Sequence, residues 1–158
     1  MTLFWKIRMF SYEIKERICN YFLVKKYPWL HPMSWGTNEK GEYEEIRDPK
    51  YDYSYIPIWT EYTGWWKAFG REFCDEMQEE YKNCPDLYIS EYKEKWGRLD
   101  IYPGNANDNV LKICEKYSKR AEHTCWFCGN FDANIVDIGR ELPLCKKCYD
   151  KYEEKHRC

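Results

Sequence analysis

The stretch CWFCGNFDANIVDIGRELPLCKKC, residues 125–148, holds two Cys-x-x-Cys pairs with sixteen residues between them. Each pair closes a tight turn that sets two sulfurs on one side of the backbone, and two such turns supply four thiolates at the corners of a tetrahedron. Thiolates are soft, anionic ligands, so Cys125, Cys128, Cys145 and Cys148 form an all-sulfur set suited to zinc. Gly129, directly after the first pair, can take the positive φ that turns backbone N–H groups toward a ligand sulfur. Between the pairs, ANIVDIG has the pattern of a strand bounded by the turn-forming GNFD and GRELP, which together make residues 122–158 a zinc ribbon. Redox dithiols or idle buried thiols are the alternative, and they fit one pair better than two.

Four thiolates leave such an ion no open coordination position, so Zn(2+) here is structural rather than hydrolytic. Its binding is worth roughly 10–16 kcal/mol, comparable to the stability of a whole domain. His123, two residues before Cys125, is an alternative to one of these ligands, but a solvent-facing helix-end histidine is the expectation. Cys19, Cys74, Cys84, Cys114 and Cys158 lack partners at metal spacing; the first four are expected as small apolar core residues.

The chain before the ribbon is long enough for a core of its own, and 19% of the 158 residues of the full sequence are aromatic, including fifteen Tyr and eight Trp. Small aliphatic residues are scarce, so rings should build that core. The 25 basic and 27 acidic side chains of the full sequence nearly cancel. That balance excludes a surface basic enough throughout to grip nucleic acid. No uninterrupted apolar run is long enough for a signal peptide or membrane span. With an odd cysteine count, this predicts a cytoplasmic protein with no membrane among its partners.

Residues 3–26 have helical spacing, with Ile7, Ile14, Ile18, Tyr21 and Phe22 as the apolar stripe. Residues 28–63 hold four prolines and two glycines and predict a long irregular loop. A second helix follows in GWWKAFGREFCDEMQEEYK, with Trp66, Phe69, Phe73 and Met77 inward and Glu72, Asp75, Glu76, Glu79 and Glu80 on a solvated face. After the turn NCPD, a hairpin is predicted with strands near 87–93 and 98–102, Leu87, Ile89, Leu99 and Ile101 covering the helices. Arg98 shares its other face with Asp100 and Tyr102, an arrangement that suggests a local Arg98–Asp100 ion pair. A third helix begins at an Asn107 or Asp108 cap and buries Val110, Ile113, Cys114, Tyr117 and Ala121. The tail KCYDKYEEKHRC is expected to add one helical turn and then fray. The fold class is therefore α+β, about three helices with a hairpin over residues 1–121, followed by the ribbon over 122–158.

The order YPWLHP, YDYSY, GWWKAFGREFCDEM, YISEYKEKWGRLDIY, KYSKRAEHTCWFCG and PLCKKC resembles a family of small uncharacterised bacteriophage and prophage proteins. There, a Gly-Trp helix and an Ile-Lys-Glu-Lys-x-Gly-x-Leu-Arg-x-Tyr hairpin precede a four-cysteine zinc ribbon. The resemblance spans roughly residues 20–150 and implies an origin and a fold without implying an activity. Asp100 stands where that pattern carries Arg, exchanging an anion ligand for a carboxylate.

Catalytic signatures are missing: there is no HExxH, P-loop, Gly-x-Ser-x-Gly or Gly-x-Gly-x-x-Gly motif, and His31, His123 and His156 have no evident acid or nucleophile beside them. A non-catalytic binding protein is the expectation. Lys93, Lys95 and Arg98 surround Trp96 at the hairpin turn, near Tyr102. Trp35, Tyr51, Tyr53, Tyr55, Trp59 and Trp65 add rings from the preceding segment. Rings stack bases while cations hold phosphates, so one reading is capture of a nucleotide-like small molecule such as a host immune signal. A second is inhibition of a host protein, since Trp, Tyr and Arg dominate interface energetics. Nucleic-acid binding through Lys146, Lys147, Lys151, Lys155 and Arg157 ranks third, because Asp150, Glu153 and Glu154 dilute the field. A closed aromatic pocket would favour the first reading and an exposed apolar surface the second.

Overall fold

The computed structural model describes residues 3–58 and 63–156, with side chains from residue 13 onward. In order these form helix α1 (Leu3–Lys26), a 3-10 turn (Pro28–Leu30), strands β1 (Met33–Thr37) and β2 (Tyr43–Arg47), a π-helical turn (Trp66–Gly70) running into α2 (Arg71–Tyr81), β3 (Tyr88–Lys95), β4 (Arg98–Gly104), α3 (Asp108–Glu122), β5 (Asn134–Asp137), β6 (Glu141–Leu144) and α4 (Lys146–His156). Each of the three sheets is a two-stranded antiparallel hairpin: β1 with β2, β3 with β4, β5 with β6. The architecture is α+β, as expected, with four helices where the sequence suggested about three. The added one is the tail, which continues as α4 through His156 instead of fraying after one turn.

Rings do build the core. Trp29 meets Phe73 edge-on at 5.9 Å, Phe73 meets Tyr117 at 5.3 Å, and Phe69 lies 5.4 Å from Tyr117. The Trp29–Phe73 and Phe73–Tyr117 pairs, edge to face, bring the positive edge of one ring to the negative face of the other. The inward stripe of the second helix differs from the expected one by a residue at its start: Trp65 is enclosed and Trp66 is only half-buried. The π-turn is the reason. Its i→i+5 bonding widens the turn, so residues four apart, Trp65 and Phe69, fall on one face. The Trp66 ring instead folds back over Gly70, where a Cβ would come within 2.1 Å of it.

The acidic run of α2 is more than a solvated face. Asp75 accepts from the Tyr27 hydroxyl at 2.7 Å and from Lys26 at 2.9 Å, Glu76 from the Tyr117 hydroxyl at 3.0 Å, and Glu72 from Arg120 at 2.7 Å. These bonds tie α2 to the end of α1 and to α3. Asn107 caps α3 as expected, its Oδ1 accepting from the Val110 amide at 2.9 Å.

Segment 28–63 is not one irregular loop. Asn38 Oδ1 accepts from the amides of Lys40 and Glu42, Gly41 takes φ 83°, and this turn closes the β1–β2 hairpin. Arg47 fastens the hairpin to the body through the Pro28 carbonyl at 2.8 Å and the Tyr81 hydroxyl at 3.3 Å. Beyond it, Asn20, buried on α1, donates to the Tyr53 carbonyl at 2.9 Å, and Arg17 pairs with Asp52 at 3.2 Å. Tyr51 and Tyr53 thereby pack on the core, leaving Tyr55 exposed.

The β3–β4 hairpin covers the helices through Leu87, Ile89 and Leu99, with Ile101 half-buried. A bulge between Ile89 and Glu91 shifts the register, so that Tyr92 turns inward and Glu91 outward. One extra residue is what such a reversal of faces requires. Among the cysteines expected in the core, Cys74 and Cys114 are buried and Cys84 is intermediate, whereas Cys19 is exposed. Cys19 lies on the part of α1 that nothing among the described residues covers.

Candidate metal centre and the surface beside it

The second core is small and local: Cys125, Ala133, Leu142, Leu144 and Cys145, with Trp126 shared between it and the main core. It forms where β5–β6 folds back over the two Cys-x-x-Cys turns. The Trp126 amide donates to the Pro143 carbonyl at 2.8 Å and the Cys125 amide to the Asn130 carbonyl at 2.7 Å. The Gly129 amide returns to the Cys125 carbonyl at 2.9 Å, with Gly129 at φ 86° as its position required. At the second turn, the Cys148 and Tyr149 amides both reach the Cys145 carbonyl at 3.0 Å.

These turns gather four sulfurs. The Sγ atoms of Cys125, Cys128, Cys145 and Cys148 all lie within 4.8 Å of one another, and those of Cys128 and Cys145 are 3.6 Å apart. A tetrahedron with metal–sulfur bonds of about 2.3 Å has edges of about 3.8 Å, so the cluster is close to the size that an ion would impose. Cys125 and Cys145 are buried, and Cys128 lies at the exposed rim. Burial raises the Cys125 thiol, but backbone groups of Cys145, Cys128 and Phe127 reach its sulfur and bring it down to about 7. Cys148 is pushed well above the usual thiol range by burial and by the sulfurs around it, and Cys145 is raised chiefly by burial. Four thiols this close cannot all ionise without a cation among them. The residues present can therefore hold a metal ion as a tetrathiolate, and such an ion would have no position left for substrate or water. His123 lies exposed at the C-terminal cap of α3, as expected.

The first Cys turn is seated on the helix that carries the Gly-Trp motif. The Gly64 amide donates to the Trp126 carbonyl at 2.5 Å, and a Cβ on Gly64 would stand 2.0 Å from the Cys125 carbonyl oxygen and 2.4 Å from the Gly129 nitrogen. Thr63 Oγ1 caps the helix at the Trp66 amide, so the positive end of the helix faces the thiol-bearing turn. Beside it, Trp65 donates its indole N–H to the Thr124 carbonyl at 2.9 Å and meets Trp126 edge-on at 4.8 Å. Trp65, a candidate for ligand stacking, is thus enclosed and acts as a fastener between helix and ribbon. Sequence reasoning did not find Gly64, because its partners lie some sixty positions away.

The remaining candidates fall into separate places. Trp59 lies outside the described residues. Trp35, 64% exposed, stacks on Tyr43 across the β1–β2 hairpin at 5.7 Å. Lys93 pairs with Glu91 at 2.6 Å and sits 5.1 Å above the Tyr102 ring. Lys95, Trp96 and Arg98 come together at the tip of β3–β4, with Ile135 and Glu141 of the ribbon, around an open groove of about 480 Å³. Arg98 pairs with Glu122 of α3 at 3.6 Å and not with Asp100, because α3 packs beside β4 and offers the nearer carboxylate.

The tip itself is a two-residue loop. Trp96 at φ 56° and Gly97 at φ 76° both occupy the left-handed region, as a type I′ turn requires. Glu94 holds it by accepting from the Gly97 amide at 2.8 Å, and Ile135 lies where a Gly97 side chain would begin, 3.1 Å from an added Cβ. Arg140 of the ribbon approaches Glu94 to 3.9 Å. Trp96 is left 68% exposed. Along α4, Lys146 bonds Asp150 at 3.0 Å, which neutralises part of the basic cluster expected there.

No family model, curated protein or solved structure matches the chain. No helix among the described residues is long and apolar enough to cross a membrane.

Proposed function

We propose that this chain is a non-catalytic binding protein in which a structural zinc ion on Cys125, Cys128, Cys145 and Cys148 holds the ribbon against the hairpin tip, and that the shared surface around Trp96 grips a partner protein. Trp96 carries the proposal. A left-handed conformation costs a β-carbon-bearing residue about 1–2 kcal/mol, and Asn or Asp would fill the position with less strain. An indole there, mostly exposed, adds little to the fold. A residue held in such strain at the surface is best explained by what it touches outside the chain.

Three features favour a protein partner. The groove beside Trp96 is an open shelf. It is lined by both charge signs and by the apolar Ile135. Two neighbouring cations are already engaged, Arg98 with Glu122 and Arg140 with Glu94. Open, mixed and ring-anchored surfaces suit protein recognition. The resemblance to phage and prophage proteins makes a host protein the natural candidate. Capture of a nucleotide-like ligand is the second reading, favoured by Lys95, which lines the same groove as Trp96 and supplies a cation beside the ring.

The test is Trp96→Asn, which keeps the turn and removes the ring. Native mass spectrometry of complexes captured from bacterial cells should find a protein bound to the wild-type chain and lost from the variant. A complex retained by Trp96→Asn contradicts the proposal. A nucleotide-induced thermal shift that disappears in both Trp96→Asn and Lys95→Ala decides for the second reading.

A further inference from the structure

Helix α1 has two different long faces. One is occupied: Glu16 is half-buried, Asn20 and Val24 are buried, and Asn20 and Arg17 hold the Tyr51–Tyr55 segment against it. The other bears Ile14, Ile18 and Phe22, four residues apart, at 43%, 52% and 63% exposure. Nothing among the described residues covers this face.

Charge is sorted around it. The helix carries six basic side chains and two acidic ones, a net +4 in a chain whose total is −2, which leaves −6 for everything else. At helical spacing, Lys15 and Lys26 fall along one border of the apolar stripe, Arg17 along the other, and Lys25 in line with it. Glu13 and Glu16 lie on the opposite side, in the row that continues to Asn20 and Val24. Arg17 is engaged with Asp52, and Lys26 with Asp75. Two copies of this helix paired along the stripe, in either direction, would bring basic borders together. A surface of negative charge with an apolar interior meets both demands at once.

We propose that α1 is an interfacial helix that lays its Ile14–Ile18–Phe22 face into the surface of an anionic lipid bilayer. The apolar stripe enters the headgroup boundary while the bordering Lys and Arg side chains reach the phosphates. The helix lies on the bilayer and does not span it. The occupied face, with the loop held by Asn20 and Arg17, keeps the body of the protein on the aqueous side.

Co-sedimentation of the whole chain with phosphatidylcholine vesicles, with and without phosphatidylglycerol, tests this. Binding is expected only to the anionic vesicles, and it should weaken with salt. The double variant Ile14→Glu/Ile18→Glu should lower the partition about tenfold or more, since each substitution removes a buried aliphatic group and introduces a charge. Lys15→Glu/Lys25→Glu should lower it as well. All four side chains are exposed, so circular dichroism and metal content should stay unchanged. Trp96→Asn should bind vesicles as the wild type does, which separates this proposal from the hairpin-tip reading. No binding to anionic vesicles, or binding indifferent to both double variants, would overturn it. So would a wild-type dimer that Ile14→Glu/Ile18→Glu dissociates, because a second copy would then be the occupant of that face.

Discussion

Gly64 has no room for a side chain, because the carbonyl of Cys125 and the amide of Gly129 stand where its Cβ would be. Backbone atoms cannot swing aside, so Gly64→Ala must push the first Cys turn off the helix. The expected result is a loss of roughly 3 kcal/mol, the upper end of overpacking costs, together with faster metal release to a chelator. Gly139 is the control: it has φ 90° but nothing within 4 Å of an added Cβ. Gly139→Ala should cost only the left-handed strain, about 1–2 kcal/mol, and leave metal release unchanged. Thermal melts and chelator competition read both. Trp96 offers the reverse case. Asn fits the left-handed turn better, so Trp96→Asn should raise Tm by about 2–4 °C for each kcal/mol of strain relieved, even as it removes the proposed contact. An unchanged or lowered Tm would mean that the indole supports the fold. The four Cys positions are legible from spacing alone, because each pair acts through its own tight turn. Gly64 and Trp65 are not, because what they do depends on a contact made only after the chain has folded.

At the scale of elements, periodicity finds what is strongly periodic. α1, α3 and the β3–β4 hairpin stand where their apolar spacing and the Trp-Gly turn put them. β1–β2 is hidden because most of its residues are exposed or half-exposed, so no alternation marks it; only Asn38 and Gly41 announce the turn. The π-turn is hidden because its one-residue shift leaves the composition of the stripe unchanged. The acidic run of α2 reads as a solvated face because its partners, Tyr27, Lys26, Tyr117 and Arg120, come from other parts of the chain. Those partners make the run sensitive to acid. The Tyr27 hydroxyl and the Lys26 ammonium hold Asp75 below the usual carboxylate range, and Arg120 does the same for Glu72. Carboxylates depressed in the folded state stabilise it above their unfolded values, about 3.9 for Asp and 4.3 for Glu, and lose that contribution as pH falls through the folded values. Tm should therefore fall below about pH 4, and the fall should be shallower in Glu72→Gln/Asp75→Asn. Parallel acid limbs in wild type and variant would show that these bonds contribute nothing.

Across the whole molecule, the ribbon is attached to the rest on several sides: Gly64 and Trp65 at the helix, Gly97 and Glu94 at the hairpin tip, and Arg120, 5.0 Å from the Phe131 ring. The surface around Trp96 is half ribbon, since Ile135, Arg140 and Glu141 belong to it. A small core of this kind cannot hold its shape alone, so an ion closing the Cys turns would also fix the surface around Trp96. The most direct measurement is zinc stoichiometry on protein kept reduced, followed by amide hydrogen exchange before and after chelation. One zinc per chain is expected, with chelation releasing the β5–β6 amides and the Gly64 amide together. Protein without stoichiometric metal, yet with those amides still protected, would contradict the account.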